Sequence, residues 1–300
     1  MTDRSFLKYM NTYQNYKNMK KQKVWLITGA SRGFGLEIAK AALKAGDKVV
    51  ATVRSKPEQF EQQFPEQQNL SVVVLDVTQE KQVIAGVEKA VAAFDGIDVL
   101  VNNAGYGLLG ATEEITDQEV RSQFDTNVFG LLNVTRAVLP YMRSRQKGHI
   151  INISSLFGYA ATVPGFGLYG ATKFAVEGIT EGLQLEVKPF GIHVTAVAPG
   201  LFRTDFASGD SYKSSQLLLE EYQGTVGQVR QAVAGLHGNQ PGDPAKLAQV
   251  ILELANAEHP PLHLPVGKDA VSALQAKMST IAKEVAEWET LSVSTDHQKN

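Results

Sequence analysis

The segment Thr28-Gly-Ala-Ser-Arg-Gly-Phe-Gly35 is a glycine-rich turn placed between two regular patterns. Before it, Val24–Thr28 is a short apolar run typical of a buried strand; after it, apolar residues recur at helical spacing from about Gly35 to Ala45. Glycine tolerates backbone conformations that other residues avoid, so it suits a tight turn of this kind. A strand, a glycine turn and a helix in that order predict the first unit of an α/β sheet.

The same alternation of short apolar runs and longer helical stretches continues along the chain. Strands that are apolar throughout, rather than alternating, are expected when both faces of a sheet are covered. The pattern therefore predicts an α/β fold: a doubly wound, Rossmann-like parallel sheet of about seven strands with helices on both faces. The strands are predicted at 24–28, 48–53, 71–75, 97–101, 149–153, 192–197 and, as an edge strand, 263–267. The helices are predicted at 35–45, 79–94, 169–188, 244–257 and 274–289, with two helical stretches up to Arg145 and one or two over 217–233.

Composition excludes several classes of protein. The 300 residues are 43% hydrophobic with a net charge of −2, so a sizeable core is expected and no nucleic-acid partner is predicted. The absence of cysteine excludes a disulfide framework, a thiolate nucleophile and a thiolate zinc site. The histidines are scattered, so no metal site is predicted. No apolar run approaches the roughly 18 residues that span a bilayer, and a cytoplasmic protein that does not bind membranes is expected.

The glycine turn lies where a dinucleotide pyrophosphate would bind. A helix N-terminus offers unpaired N–H groups and the positive end of a dipole to phosphate. A tight loop with nothing bound is the alternative that such glycines leave open. The candidate cofactor-binding residues of this turn are Gly29, Ser31, Arg32, Gly33, Phe34 and Gly35.

The end of the second predicted strand indicates which dinucleotide is preferred. Proteins that bind NAD usually carry Asp or Glu here, to hold the ribose 2′-hydroxyl. Val53 takes that place, Arg54 follows it, and Arg32 lies within the glycine turn. Two arginines without a carboxylate suit a 2′-phosphate, which favours NADP(H), with NAD(H) as the alternative. Both arginines could instead be solvated surface residues.

Tyr169-Gly-Ala-Thr-Lys173 carries the most mechanistic content. On a helix, the i, i+4 spacing places both side chains on one face. A neighbouring ammonium favours the phenolate, so we expect Lys173 to lower the pKa of Tyr169 toward neutrality. Such a phenol can protonate a carbonyl oxygen or deprotonate an alcohol. A surface pair of tyrosine and lysine is the alternative, and Ser154-Ser155 at the end of the fifth strand could hold a carbonyl or cap a helix.

These motifs, each after the strand that should carry it, resemble the short-chain dehydrogenase/reductase family. The resemblance covers about residues 22–205, and the ending at 264–270 is similar to that of 17β-hydroxysteroid and retinol dehydrogenase-like members. Ser155 is preferred to Ser154 because Gly158 follows it by three residues, as in the family that the chain resembles. The interval from Ser155 to Tyr169 is one residue longer than the family's commonest spacing, which puts the shape of the loop Tyr159–Leu168 in doubt.

The resemblance implies an oxidoreductase that transfers a hydride between nicotinamide and a carbonyl or secondary alcohol. It implies that Tyr169 is the acid or base, Lys173 its modifier and ribose ligand, and Ser155 the carbonyl anchor, while Asn127 supports Lys173 through water. Residues beyond the glycine turn and Arg54 that it implies for the cofactor are Asp76, Val77, Asn103, Ala104, Gly105, Tyr169, Lys173, Pro199, Gly200 and Thr204.

The predicted organisation is a flexible extension at 1–22, one dinucleotide-binding catalytic domain at 23–290 with a substrate lid at about 205–240, and a tail at 291–300. Residues flanking the site favour a bulky or hydrophobic substrate, unless several pack under the loop: Tyr106, Leu108, Leu156, Phe157, Tyr159, Phe166, Phe202 and Phe206. The resemblance also implies a homodimer or homotetramer through the helices near 116–145 and 169–188. Two alternatives stay open: a catalytically silent NADPH-sensing protein of the same fold, and a ketoreductase acting on acyl-carrier-protein substrates.

Overall fold

The computed structural model describes residues 22–65, 67–204, 212–235 and 239–297. The predicted extension up to residue 21 lies outside this range. So do residues 205–211 and 236–238 of the predicted lid, Phe206 among them, and the last three residues of the predicted tail.

The strands agree with the predicted parallel sheet. They are β1 (Val24–Ile27), β2 (Lys48–Val53), β3 (Leu70–Val74), β4 (Val99–Asn102), β5 (Gly107–Leu109), β6 (Gly148–Ile153), β7 (Ile192–Pro199), β8 (Tyr212–Ser214) and β9 (His263–Val266). Seven of them form one sheet in the order β3-β2-β1-β4-β6-β7-β9, and every pairing is parallel. The strand order reverses direction between β1 and β4, and ligands of such sheets bind beyond the strand ends at this point.

The helices of the described residues cover both faces of the sheet. They are α1 (Gly33–Lys44), α2 (Pro57–Glu61), α3 (Glu80–Phe94), α4 (Asp117–Phe124), α5 (Gly130–Ser144), α6 (Gly167–Val187), α7 (Gln228–Gly235), α8 (Pro244–Asn256) and α9 (Lys268–Val293). Short 3₁₀ segments follow β6 and α6, and a π-helical turn, Asp125–Phe129, joins α4 to α5.

Two hydrophobic cores, one on each face of the sheet, explain why the strands are apolar throughout. Trp25 and Ile27 of β1 pack with Ile38 of α1 and Ile251 of α8 on one face. Leu26, between them in the chain, joins the core on the opposite face with residues of α3, α5 and α6. Successive side chains of a strand point to opposite faces, so alternate positions of one strand supply apolar side chains to the two different cores.

The join between α4 and α5 places a polar side chain inside the protein. Helix α4 begins with a capping box, in which Thr116 Oγ1 accepts from Glu119 N and Glu119 Oε2 accepts from Thr116 N. The π turn then adds one residue to the helical repeat, and Asn127 within it is buried. Turns of this kind are frequent at functional sites. The sequence pattern predicts two helical stretches here but not the turn between them.

The structure differs from the sequence prediction at two further places. No strand was predicted between residues 197 and 263, but Tyr212–Ser214 forms β8 and pairs in parallel with β5. Helix α9 begins six residues before the predicted start, because Asp269 Oδ2 accepts from Leu201 N at 2.7 Å and Ala270 is buried against the neighbouring loops. Across the described residues, no helix combines the length and the apolar character needed to cross a membrane.

Candidate active site

A cleft of about 1080 Å³ opens at the carboxyl ends of the strands, where the strand order reverses. Most of the residues singled out in the sequence line it: Gly29, Ser31, Arg32, Gly33, Phe34, Arg54, Asp76, Val77, Asn103, Ala104, Gly105, Ser155, Tyr169, Lys173, Pro199, Gly200 and Thr204. Gly35 and Asn127 lie behind its walls instead.

The glycine turn lines the cleft at the N-terminus of α1. Gly29 and Gly33 have φ values of +63° and +55°, in the region that favours glycine. A Cβ on Gly35 would lie 2.6 Å from Asn103 Nδ2, so this position needs glycine for packing. At Gly33 a Cβ would meet only Thr204, at 3.8 Å, so this part of the turn faces open space. The N-cap side chain of Arg32 makes no capping hydrogen bond, which leaves the first turn of α1 suited to an anion.

Asn103 ties the glycine turn to the end of β4. Its Nδ2 donates to Thr28 O at 2.9 Å and to Gly29 O at 3.0 Å. In return, Thr28 Oγ1 accepts from the backbone N–H groups of Asn103 and Ala104 at 2.9 and 3.0 Å. These bonds hold the two central loops of the cleft in one arrangement, which preorganises the wall for a ligand.

The end of β2 is cationic. Arg54 is exposed and lines the cleft together with Ser55 and Lys56. Within the described residues, Asp76 and Asp269 are the acidic side chains of the lining, and the Asp76 carboxylate accepts from the N–H and hydroxyl of Thr78 at 2.9 and 2.8 Å. Sequence analysis missed Lys56, although its position two residues after Arg54 was a visible signal.

The opposite wall brings Ser155, Tyr169 and Lys173 together. Ser155 follows β6, and the other two lie one turn apart on α6, as their spacing predicts. Ser155 is hydrogen-bonded to the Tyr169 hydroxyl, and Lys173 Nζ donates to Ile153 O at 2.7 Å while lying 5.8 Å from the centre of the Tyr169 ring. The exposed fractions are 7% for Ser155, 6% for Tyr169 and 7% for Lys173, so this group is almost fully desolvated.

Burial shifts the proton affinities of this group in opposite directions. Desolvation raises the pKa of Tyr169 to about 12, and the hydrogen bond with Ser155 only partly offsets it. Desolvation also lowers the pKa of Lys173 to about 8, although the nearby Glu177 carboxylate has the opposite effect and raises this pKa. The expectation that Lys173 lowers the Tyr169 pKa toward neutrality is wrong for the chain alone, because burial raises this pKa and it is the Ser155 hydrogen bond that opposes the rise. At neutral pH, Tyr169 is a protonated phenol.

Asn127 is held by the backbone of the cleft loop. Its Oδ1 accepts from Tyr106 N at 3.0 Å, while its Nδ2 donates to Tyr106 O at 2.9 Å and to Thr172 Oγ1 at 3.1 Å. A Cβ on Gly105 would lie 3.0 Å from Asn127 Oδ1 and 3.8 Å from Lys173 Nζ, so both side chains flank this glycine. The arrangement places Asn127 beside Lys173; its support of Lys173 through water stays a prediction.

A second polar cluster lies behind Lys173, and sequence analysis missed it. Glu177, one turn further along α6, is buried, and its Oε2 lies 3.0 Å from His263 Nδ1 of β9. The Tyr159 hydroxyl lies 3.2 Å from the same nitrogen. Burial raises the pKa of Glu177, and hydrogen bonds from Ser154 and His263 partly oppose the shift. The visible signal was the recurrence of polar residues at four-residue steps along α6; the contact with β9 was not visible.

The wall of the cleft around Tyr169 is aromatic. Phe157 and Phe166 stack with ring centres 4.9 Å apart, and both contact the Tyr169 ring. Of the flanking residues named from the sequence, five line the cleft: Tyr106, Leu156, Phe157, Phe166 and Phe202. Leu108 is instead buried away from the cleft, and Tyr159 turns toward His263.

The described part of the predicted lid is attached to this wall. Strand β8 pairs with β5, and Val226 is buried against the aromatic cluster. Arg230 of α7 forms an ion pair with the buried Glu114 carboxylate. Burial by itself raises the pKa of Glu114, but the hydrogen bonds from Arg230 and two backbone N–H groups outweigh it and lower the pKa. No group of His, Asp or Glu side chains in the described ranges is arranged to hold a metal ion.

The chain is similar to known proteins over nearly all of the strands and helices described above. A family model described as short chain dehydrogenase matches residues 23–214. Oxidoreductase BOA17 of Botryotinia fuckeliana is 38% identical over 282 residues, which cover 91% of this chain and 99% of that protein. The 3-ketodihydrosphingosine reductase of Bacteroides thetaiotaomicron is 38% identical over 245 residues, covering 82% of this chain and 88% of that protein.

Solved structures of similar proteins share the fold of this chain. The crystal structure of a short-chain dehydrogenase from Streptomyces avermitilis has a TM-score of 0.84 and 42% identity, covering 92% of this chain and 99% of that chain. A structure of ElxO with NADP bound has a TM-score of 0.69 and 31% identity, covering 84% of this chain and 99% of that chain.

Proposed function

The chain belongs to the short-chain dehydrogenase/reductase family and is an oxidoreductase, and on this basis we propose that it is an NADP(H)-dependent reductase of a bulky or hydrophobic carbonyl compound. The observation that carries the proposal is the desolvated group of Ser155, Tyr169 and Lys173, which shares one cleft with the glycine turn and the cationic end of β2. One wall supplies a proton donor, and the other suits a phosphorylated dinucleotide.

The residues of the cleft fit a dinucleotide. The turn at Gly33 leaves space that a Cβ would not fill, and the first turn of α1 offers backbone N–H groups to a pyrophosphate. Asp76 and Val77 would contact the adenosine end, while Pro199, Gly200 and Thr204 would lie at the nicotinamide end. Bound there, NADP(H) supplies the hydride that a carbonyl carbon accepts.

The protein's own contribution is to hold the carbonyl oxygen and protonate it. The Ser155 hydroxyl donates a hydrogen bond to that oxygen, and the Tyr169 phenol gives it a proton as the alcohol forms. The pKa of about 12 keeps Tyr169 protonated until this step. Lys173, held by Ile153 O, keeps its ammonium beside the ring and so favours loss of the phenol proton. In the reverse direction the same groups deprotonate an alcohol.

A preference for NADP(H) rests on charge at the end of β2. Arg54, Lys56 and Arg32 of the glycine turn line the same cleft, and the described residues of the lining include no carboxylate directly after β2. Guanidinium groups recognise phosphate with paired, charge-assisted hydrogen bonds. The structural neighbour ElxO was solved with NADP bound, which supports the assignment.

The class of substrate follows from the aromatic wall. Phe157 and Phe166 pack against the Tyr169 ring, and Tyr106 also lines the cleft, so aromatic surface is available there to a large apolar group. A relative at 38% identity bears the name 3-ketodihydrosphingosine reductase, which supports a ketone as substrate. We therefore assign the cleft to ketones or aldehydes with large apolar groups.

Calorimetric titration with NADPH and, separately, NADH tests the cofactor. We expect at least tenfold tighter binding of NADPH. Equal affinities, or tighter binding of NADH, would overturn the assignment of Arg32 and Arg54 to a 2′-phosphate. If neither dinucleotide bound, the proposed function would be wrong.

A graded series of carbonyl compounds tests the substrate class. With saturating NADPH, kcat/KM should rise from short aldehydes to long-chain and polycyclic ketones. A flat or falling series would overturn the apolar substrate class while leaving the reaction intact. Tight binding of NADPH without turnover of any member would favour the cofactor-sensing alternative instead.

Association into a homodimer or homotetramer is also proposed, through α5 and α6. Gly178 and Gly182 lie on the outer face of α6, where a Cβ on either would meet no atom within 4 Å. The absence of side chains at these two positions lets a second helix approach this face closely. Phe174 and Leu185 on this helix are exposed. Sedimentation of the full chain should detect a dimer or tetramer at micromolar concentration; a monomer would contradict this association.

A further inference from the structure

Helix α9 extends beyond the body of the protein. Its first turn is fixed, because Ala270 is buried and the Asp269 carboxylate accepts from Leu201 N. From Met278 onward, every described residue up to His297 is exposed. At 1.5 Å per residue, the part from Met278 to Val293 is about 24 Å long. A long helix without contacts to a core is marginally stable in water, so this segment needs another source of stability.

An apolar stripe follows the whole length of α9. Its members recur at alternating steps of three and four residues: Val271, Leu274, Met278, Ile281, Val285 and Trp288. Met278 is 62% exposed and Trp288 is 61% exposed, and no other part of the described chain covers them. A repeat of 3.5 residues brings all six side chains to one seam, which is the pattern of the two inner positions of a coiled coil.

The charged residues beside the seam favour a second copy of the same helix in the opposite direction. An antiparallel alignment that pairs Met278 with Ile281 also pairs Leu274 with Val285 and Val271 with Trp288. Lys277 then lies beside Glu284 of the second copy, and two-fold symmetry creates this opposite-charge pair twice. A parallel alignment would instead place Glu284 beside Glu289 of the second copy, where like charges repel.

The charge of α9 does not favour a lipid surface. Interfacial helices typically carry Lys and Arg on the polar face, which attract anionic lipids. The polar residues of α9 include three lysines and four carboxylates: Lys268, Lys277, Lys283, Asp269, Glu284, Glu287 and Glu289. A partner with the same alternating charges is a better match than a negatively charged membrane.

We propose that α9 forms an antiparallel two-stranded coiled coil with α9 of a second copy of this chain. The interface is isologous, with Met278 and Ile281 at its centre, and it is separate from the association proposed for α5 and α6. It does not depend on the proposed enzymatic function. Because the first turn of α9 carries Asp269 in the lining of the cleft, pairing also stabilises the helix that supports this wall.

Cysteine crosslinking tests both the partner and its direction. The chain has no cysteine, so introduced thiols are unique. We expect that the full-length double variant Leu274→Cys/Val285→Cys becomes a covalent dimer on mild oxidation, whereas each single variant does not. Within one helix these positions are about 16 Å apart, too far for an internal disulfide. The matched control, Ala276→Cys/Lys283→Cys, places both thiols on the outer face and should stay uncrosslinked.

The other possible crosslinking results would each overturn the proposal and indicate a different arrangement. Efficient crosslinking of both single variants would show a parallel pair. No crosslinking of any variant would exclude a second copy; iodide quenching of Trp288, isolated by comparison with Trp288→Phe, then identifies what covers the stripe. Shielding of Trp288 at all protein concentrations would indicate residues 1–21 of the same chain, and shielding only with phosphatidylcholine vesicles would indicate a lipid surface.

Exchange of charges tests the register. In the Leu274→Cys/Val285→Cys background, Lys277→Glu and Glu284→Lys should each reduce the crosslinking yield at limiting protein concentration by at least threefold, because each creates two like-charge pairs. The combined exchange should restore the yield. If Glu284→Lys alone raised the yield, the antiparallel register would be wrong.

Discussion

On one wall of the cleft, Ser155, Tyr169 and Lys173 are more than nine-tenths buried and hydrogen-bonded to one another or to β6, whereas on the other wall Arg54 and Lys56 are exposed. The difference follows from what each wall does. Proton transfer needs groups whose pKa values are shifted by desolvation, and desolvation costs stability. Phosphate binding needs only charges that can reach the ligand. Substitutions on the buried wall should therefore change turnover or the pH dependence of stability, and those on the exposed wall should change affinity alone.

Removal of the phenol hydroxyl gives the largest expected effect. Tyr169→Phe should lower kcat by about 10²–10⁴-fold, the range of a positioned acid or base, because the carbonyl oxygen loses its proton donor. The Kd for NADPH should change by less than about threefold, since the ring keeps its packing. Steady-state kinetics and calorimetry measure the two quantities.

Tyr159→Phe is the matched control for this substitution. The Tyr159 hydroxyl lies at His263, outside the cleft, so its loss should leave kcat within about threefold. Equal losses in the two variants would mean that the Tyr169 effect is structural, and the contrast between the walls would fail.

The buried ammonium should be visible in the pH dependence of stability. The pKa of Lys173 is about 8 in the folded chain and about 10.5 when unfolded, so between pH 8 and 10 the unfolded chain holds the extra proton. The free energy of unfolding should gain up to about 1.4 kcal/mol per pH unit across this window, and Lys173→Met should lack this gain. The raised pKa of Tyr169 affects stability only above pH 10.

Denaturant unfolding of the wild type and Lys173→Met at several pH values measures this difference, because subtraction cancels the other titrating groups. Lys188→Met, on an exposed lysine that follows α6, is the control and should track the wild type. Parallel curves for Lys173→Met and the wild type would show that Lys173 is not desolvated.

On the exposed wall, reversal of one charge should change the choice of cofactor without changing the fold. Arg54→Asp should weaken NADPH binding by about 10–100-fold, the value of a charge-assisted hydrogen bond, and leave NADH binding unchanged or tighter. Thermal unfolding should be unaffected because Arg54 is exposed. Arg143→Asp on α5, also exposed, serves as the control; equal losses in both would mean a general effect of charge.

The smallest effect is expected at the cation that sequence analysis missed. Lys56→Ala should weaken NADPH binding by about two- to fivefold, because an exposed lysine contributes at most about 1 kcal/mol. Competition titration against NADPH resolves a change of this size. A loss larger than that of Arg54→Asp would make Lys56 the principal ligand of the phosphate.

Local patterns predicted most of the framework. Strand β2 was placed at its observed bounds, and α1 and α6 within about two residues, because apolar periodicity reports which faces a segment buries. The spacing of Tyr169 and Lys173 placed both on one helix face for the same local reason. The group at Glu177 and His263 could not be predicted, since its members are 86 residues apart and meet only through packing.

The sequence by itself was enough to predict the parallel sheet, the glycine turn at its centre and the residue types that line the cleft. Each of these features is encoded in a motif or a periodicity that spans only a few neighbouring residues. The pKa of Tyr169, the π turn at Asn127 and the pairing of β5 with β8 depend on distant segments, so they became visible only in the folded chain. Helix α9 shows the same limit: its apolar repeat resembles that of α1, yet Ile38 is fully buried and Trp288 is exposed. A sequence records which face of a helix is apolar, but burial is set by what packs against that face, and this depends on the whole structure.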